Sequence, residues 1–227
     1  MQLEKLTNKR RSEEKRRYED ACGLAHALDL LGERWAMLVL RELAYGPRRF
    51  SGLRRDLPGI SANVLTQRLN ELESRGLVRR TKLPPPASIQ VYEATEWGLE
   101  AIPTIAALGR WAARSPLHDP TLAMSHVSVI MSLQTLISAE RAAGLDIRVA
   151  FRFGETNYVT AVRDGRLEVE RGDCDDCAVT FTGPPTAVAA VIHGGAPLDL
   201  IQVEGDLSLA KRFITLFPLP PKIIPDD

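Results

Sequence analysis

Asn63, Gln67 and Asn70 are amide side chains spaced by four and then three residues, with Ser74 a further turn on. At 100° per residue that spacing stacks them on one helical face, flanked by Thr66 and Glu71. Asparagine and glutamine can pair bidentately with adenine in a DNA major groove, and threonine can meet base edges there too. The plain alternative is an ordinary solvated face. The neighbouring cations favour the first reading: Arg48 and Arg49 lie upstream, Arg68 within, and Arg79, Arg80 and Lys82 downstream. Cations around a polar helix suit phosphate contacts, which supply sequence-independent affinity.

The segment carrying these amides has the start and stop signals of one helix. Ser61 suits the N-cap, where its hydroxyl accepts from a free first-turn amide, and this places it among the candidate DNA contacts. Ile60 can staple onto Leu65. Gly76 suits the left-handed residue after the helix, and Leu77 can close back on Leu72. Leu65, Leu69 and Leu72 form the stripe that faces a core. Upstream, Arg48 to Leu57 reads as a shorter helix broken by Pro58-Gly59, which completes a helix-turn-helix. Downstream, Leu77–Leu83 and Ile89–Ala94 read as strands around a proline-stiffened turn, a β-wing that carries Arg79, Arg80 and Lys82.

At this point the chain resembles a known family. The run from Cys22 to Trp35, then Arg41-Glu-Leu, Gly46-Pro-Arg-Arg-Phe50, Leu65-Thr-Gln-Arg-Leu69, Gly76-Leu-Val78 and Thr95-Glu-Trp-Gly98, is similar to the HxlR-type regulators, winged-helix repressors and activators related to the MarR group. The resemblance spans about residues 21 to 113. It implies a homodimer on a pseudo-palindromic duplex, with each recognition helix in a major groove and each wing on the backbone. It also implies Trp35 in the core, and a dimer interface built from the first helix and the helix after the wing. In some members a cysteine placed like Cys22 senses oxidants, which makes Cys22 a redox candidate; a cysteine partly packed against its helix is the plain alternative.

The chain has 227 residues and no net charge, but the halves differ. Residues 1–115 hold 20 Lys+Arg and 14 Asp+Glu; residues 116–227 hold 9 and 15. A basic half joined to an acidic one fits a nucleic-acid-facing domain beside one with another task. Residues 1–19 read as a charged tail, with a basic arm from Lys9 to Arg17 as the alternative. Residues 20–115 read as the winged helix and 121–227 as a second domain, divided by the two prolines of Ser115–Pro120. In the first domain, Leu24, Leu28 and Leu31 supply one stripe. Trp35, Leu38, Val39, Leu40 and Leu43 supply a central helix. A long helix is expected from Thr95 to about Ala113, kinked at Pro103. With no apolar leader, and with Val127–Ile137 too short and broken to span a bilayer, a cytoplasmic setting and no membrane partner are expected.

The second domain begins with a helix expected from Thr121 to about Ala143. Strands follow at Leu145–Phe153, Asn157–Val162, Leu167–Glu170 and Ala178–Thr182, with an Asp164-Gly165 hairpin turn. Helices follow at Thr186–Ile192 and Asp206–Phe217. Strands and then helices indicate an α+β fold with an antiparallel sheet. Val179-Thr-Phe-Thr-Gly-Pro184 and Val203 to Ala210, with Phe213 and Phe217, resemble the sterol-carrier-type domain. That resemblance implies an apolar cavity for a small hydrophobic ligand, lined by Phe151, Phe153, Val159, Phe181, Val191, Phe213 and Phe217; a core packed solid is the alternative.

Cys174 and Cys177 have zinc spacing without a second pair. Two free thiols or a reversible disulfide are the other readings, and no metal or cofactor is expected. The four histidines are scattered, and no phosphate loop, HExxH or GxSxG run is present. No nucleophile–base pair is legible, so the expectation is a DNA-binding regulator responsive to a hydrophobic effector or a redox signal, not an enzyme. The alternative is a lipid- or acyl-binding or processing protein whose winged helix binds protein.

Overall fold

The computed structural model describes residues 17–86 and 88–224. Most of the expected basic arm, Lys9 to Arg16, lies outside them. Among the described residues, six helices and a two-stranded wing build the first unit: α1 (Gly23–Leu31), α2 (Ala36–Glu42), α3 (Phe50–Asp56), α4 (Ala62–Ser74), β1 (Val78–Lys82), β2 (Gln90–Ala94), α5 (Glu96–Glu100) and α6 (Ile102–Ala112). Its core joins Val39 and Leu40 of α2 and Leu43 just after it to Leu53 of α3, Leu65, Leu69 and Leu72 of α4, and Val78 and Tyr92 of the wing. Gly59 turns α3 into α4 at φ 89°, and the Trp35 indole lies within 4 Å of where a Cβ there would sit. A side chain at this turn is therefore disfavoured by its backbone conformation. Trp35 is half-buried on the rim of the core.

Two local expectations change. The long helix after the wing is two helices, because Ala101 closes α5 and Pro103 sits in the first turn of α6. Proline lacks an amide that this turn would leave free, so it starts a helix here and does not kink one. The Leu24 and Leu28 stripe does not face the core; it is exposed, as are Leu38, Leu108 and Trp111, and Ala25 is the buried residue of α1.

The second unit comprises α7 (His126–Leu136), β3 (Ile147–Phe153), β4 (Thr156–Arg163), β5 (Arg166–Arg171), β6 (Val179–Thr182), α8 (Pro185–Gly194), β7 (Gln202–Gly205) and α9 (Leu207–Ile214). The strand order is β5-β4-β3-β6-β7. The sheet is mixed, a correction to the antiparallel expectation: β3 and β6 are parallel, from Val149↔Val179 to Arg152↔Thr182. The cause is the segment between β5 and β6. It is tied to β4 by Gly172 N–Asn157 O (3.1 Å) and Asn157–Asp173 (2.5 Å), then to β3 by the Arg148–Asp176 ion pair and Ala178 N–Arg148 O (3.0 Å). The chain thus crosses the outer face of the sheet and re-enters it beside β3 in the same direction. Asp164 and Gly165 both take positive φ, as a tight hairpin of primed type requires. The helix expected from Thr121 to about Ala143 is α7 alone, capped by Ser125, whose hydroxyl accepts from Ser128 N. The edge strand β7 has too little alternation to be foreseen.

Helices α7, α8 and α9 cover the inner face of the sheet. Phe151 stands 5.4 Å from Phe181 and 6.0 Å from Phe213, centroid to centroid, and Phe213 stands 5.0 Å from Phe217. These rings, with Phe153 and Val191, fill the space where a ligand cavity was expected. Val159 is on the opposite face; it lines a hollow of about 170 Å³ with Arg148, Arg163, Glu168 and Glu170. The expected pocket is therefore a packed core plus one misassigned residue: strand parity sends Tyr158 inward and Val159 outward.

The tail after α9 returns to the linker. Lys222 Nζ donates to the carbonyls of Ala113 (3.0 Å), Ser115 (2.9 Å) and His118 (3.2 Å), and Ile223 N donates to Arg114 O (2.9 Å). A cation there satisfies carbonyls that the end of α6 leaves free.

Phe151→Ala is expected to cost about 3–5 kcal/mol in urea unfolding, as buried aromatic truncations do. Val159→Ala, outside that core, should cost clearly less. Equal losses would contradict the packing described.

Candidate nucleic-acid interface

Helix α4 is fixed at both ends. Ser61 Oγ accepts from Val64 N (3.2 Å). At the far end Gly76 N donates to Glu73 O and Leu77 N to Leu72 O, both at 3.0 Å, with Gly76 at φ 75°. This paired closure is the Schellman arrangement. Burial of Leu65, Leu69 and Leu72 then fixes the rotation of the helix, and Asn63, Thr66, Gln67 and Asn70 are left exposed.

Most of these side chains have light local contacts. Thr66 donates to Ala62 O (2.9 Å), and Gln67 donates to Glu71 Oε1 (2.9 Å). Pairs at i, i+4 on an exposed helix are worth a few tenths of a kcal/mol, so a base edge can displace them. Asn70 Oδ1 accepts from Arg80 Nη2 (3.1 Å), and Arg80 also reaches Glu73 (3.3 Å) and lies over the Tyr92 ring at 5.2 Å. Arg80 thereby ties the wing to the recognition helix. Arg79 pairs with Glu93 (2.6 Å), its partner in the strand register. Ion pairs this exposed contribute at most about 1 kcal/mol, and phosphate can compete for the cation. Lys82, on the same strand, and Arg49, just before α3, are exposed.

Two expected contacts are not on this surface. Arg48 is 7% exposed and Arg68 is also 7% exposed. Arg48 pairs with Asp56 and, at 3.6 Å, with Glu42, while its backbone bridges to Tyr92 with two 2.8 Å hydrogen bonds. Arg68 pairs with Glu71 and, at 3.5 Å, with Glu33. Their basic character suggested phosphate; the nearby Glu33, Glu42, Asp56 and Glu71 make them structural ions. Burial raises and hydrogen bonds lower the pKa of Asp56, and donors from His126, Arg55 and Arg48 hold its carboxyl well below the usual range.

A groove of about 620 Å³ opens beside the wing, lined by Leu43, Arg79, Glu93, Trp97 and Leu99 among others. Cys22 is exposed and sits at the N-cap of α1. Cys174 and Cys177 form a disulfide within the crossing loop, where zinc ligands, two free thiols or a reversible disulfide were the readings. Among the described residues, no cluster of three or more His, Cys, Asp or Glu could hold a metal ion, and no helix is long and apolar enough to cross a membrane.

The structure brings together one pair that the scattered histidines did not suggest. Ser132 Oγ lies 2.8 Å from His193 Nε2, and burial pushes that imidazole below its usual value. The hydroxyl donates to Val129 O at 2.7 Å. Its lone pairs therefore face the imidazole, the reverse of what a nucleophile and its base require. The pair joins α7 to α8 as a packing contact.

Comparison with known proteins matches residues 30–118 to the model of the HxlR-like helix-turn-helix family. The HTH-type transcriptional regulator YvaP of Bacillus subtilis is 38% identical over 87 residues, which cover 38% of this chain and 80% of YvaP. The regulator sll1512 of Synechocystis is 40% identical over 87 residues, again 38% of this chain but 64% of that protein, just under two thirds of its length. The reduced form of the transcriptional regulator YodB from B. subtilis superposes with a TM-score of 0.39 at 32% identity, over 44% of this chain and 100% of that one.

The wing geometry makes a salt-dependence prediction. Replacing Arg79, Arg80 and Lys82 together with alanine should flatten the slope of log K against log salt by roughly one unit for each lost phosphate contact. An unchanged slope in a DNA-binding titration would remove the wing from the interface.

Proposed function

The chain belongs to the HxlR-like helix-turn-helix family of transcriptional regulators, and we propose that it reads duplex DNA as a homodimer. The carrying observation is the face of α4: Asn63, Thr66 and Gln67 stand exposed at its start, while its leucines lock the helix from behind. In this reading those three side chains meet base edges. Ser61, Arg49 and Asn70 lie at the margin, and Arg79, Arg80 and Lys82 hold the flanking phosphates. The duplex would be pseudo-palindromic, because a two-fold dimer presents two identical helices. The exposed Leu24, Leu28, Leu38, Leu108 and Trp111 support self-association, and Trp111 is 71% exposed in the single chain. Apolar residues in such number are a mark of a protein-facing surface.

The second domain fits a sterol-carrier-type reading in its motifs and its α+β architecture. Its aromatic core is closed, which favours a role in docking against the winged helix over carriage of a ligand. Cys22, exposed next to α1 and its apolar residues, is the proposed redox-responsive residue.

Gln67→Ala should lose about 1–3 kcal/mol of discrimination at one base pair while leaving affinity for random duplex nearly unchanged. An equal loss on both duplexes would exclude base readout by Gln67. For the redox reading, peroxide treatment should change the DNA affinity of wild type and leave Cys22→Ser unaffected; identical responses would reject Cys22 as the sensor.

A further inference from the structure

We propose that His126 is a positioning residue for DNA reading: it reaches from the second domain onto Asp56 at the end of α3 and so fixes the recognition unit in its pose. The inference rests on the DNA-reading function above.

His126 is 5% exposed. Its Nδ1 lies 2.7 Å from the Tyr158 hydroxyl of β4, and its Nε2 lies 3.2 Å from Asp56 Oδ2. The contact to a carboxylate places the proton on Nε2, and Tyr158 then donates to Nδ1. One residue earlier, Ser125 donates to Glu42 of α2 at 2.7 Å. The first two residues of the α7 capping turn therefore hold the buried carboxylate of Glu42 and the half-buried one of Asp56.

Those carboxylates converge on Arg48. Its guanidinium lies over Gly52 of α3, about 3.5 Å from where a Cβ there would sit, and its backbone is bridged to Tyr92 in the wing. Asp56 is four residues before Ile60, where the turn delivers the chain to α4. One cluster thus touches α2, the wing, and the helix before the recognition helix. A shift of α7 moves Asp56 and Glu42 directly, and Arg48 passes the shift to the wing.

As simple adhesive the cluster is poor. Glu42 Oε2, Arg48 Nη1 and His126 Nε2 are buried without a well-aligned hydrogen bond. Buried ions of this kind are commonly no more stabilising than apolar side chains of equal volume. What the cluster supplies is direction: charge pairs specify one docking register, whereas an apolar contact tolerates several.

The test uses the full chain and a duplex that the wild type selects from a random pool, with a scrambled duplex as control. His126→Leu removes the Tyr158 hydrogen bond and the Asp56 contact at similar volume; His126→Gln keeps a donor for Asp56. His126→Leu should weaken the selected duplex roughly tenfold, within the range of ordinary site-to-site coupling, and change the scrambled duplex less than about twofold. Its urea midpoint should not fall in proportion. His126→Gln should restore most of the affinity. Asp56→Asn combined with His126→Leu should be no worse than Asp56→Asn alone, because the histidine acts through that carboxylate. If His126→Leu does not fold, His126→Phe takes its place in the same cycle with Asp56→Asn. Equal loss on both duplexes, losses that follow the urea midpoint, or additive effects would overturn the positioning role. A wild type that selects no duplex would overturn the DNA-reading function, and this inference with it.

Discussion

Arg48 is a buried cation held by two carboxylates, and the geometry of the winged helix depends on it. Its side chain joins α2 to α3 through Glu42 and Asp56, and its backbone adds a short bridge to β2. A two-stranded hairpin is marginal in isolation. Here it is held at its base by that bridge and on its flank by Arg80, which stacks on Tyr92 and reaches Asn70 and Glu73. Wing and recognition helix therefore keep one spacing, and spacing is what a duplex tests.

The two domains meet through polar groups as well as apolar ones. Tyr45 packs edge-on against Tyr158 at 5.8 Å and donates to Gln134 at 2.9 Å; Arg171 reaches the Pro47 carbonyl at 3.3 Å. Burial raises the pKa of both tyrosines, so the two phenols stay protonated even in alkaline solution. The interface is thus a set of directed hydrogen bonds laid around the Arg48 cluster, with the aromatic core of the second domain behind it.

Much of the first domain was legible because its signals are local. Ser61, Gly59 and Gly76 act on their own turns, and the α4 leucines declare their face by spacing alone. Arg48 and Arg68 were not legible, because an arginine looks the same whether phosphate or a buried carboxylate awaits it. The partners of Arg48 lie six positions upstream and eight downstream, and only the tertiary fold brings all three together. The parallel pairing of β6 was hidden for a similar reason: alternation reports which face a residue takes, not the direction in which a strand re-enters a sheet. Val159 was misplaced because apolar character was read without parity: β4 buries Val159 on one face and Tyr158 on the other. His126 gave no local sign at all, since Asp56 is 70 positions away.

The tail adds a constraint on motion. Lys222 pins the segment after α9 to the linker after α6, so the backbone entering the second domain and the backbone leaving it pass through one place. Elsewhere the second domain is tied on through Ser125 and His126 to Glu42 and Asp56, through Gln134 and Tyr158 to Tyr45, through the Thr135 carbonyl to Arg110, and through Arg171 to the Pro47 carbonyl. Ties so spread out leave no single axis to swing about. A displacement of the second domain would therefore carry α6, with its exposed Leu108 and Trp111, and the helix that leads into α4 along with it as one piece.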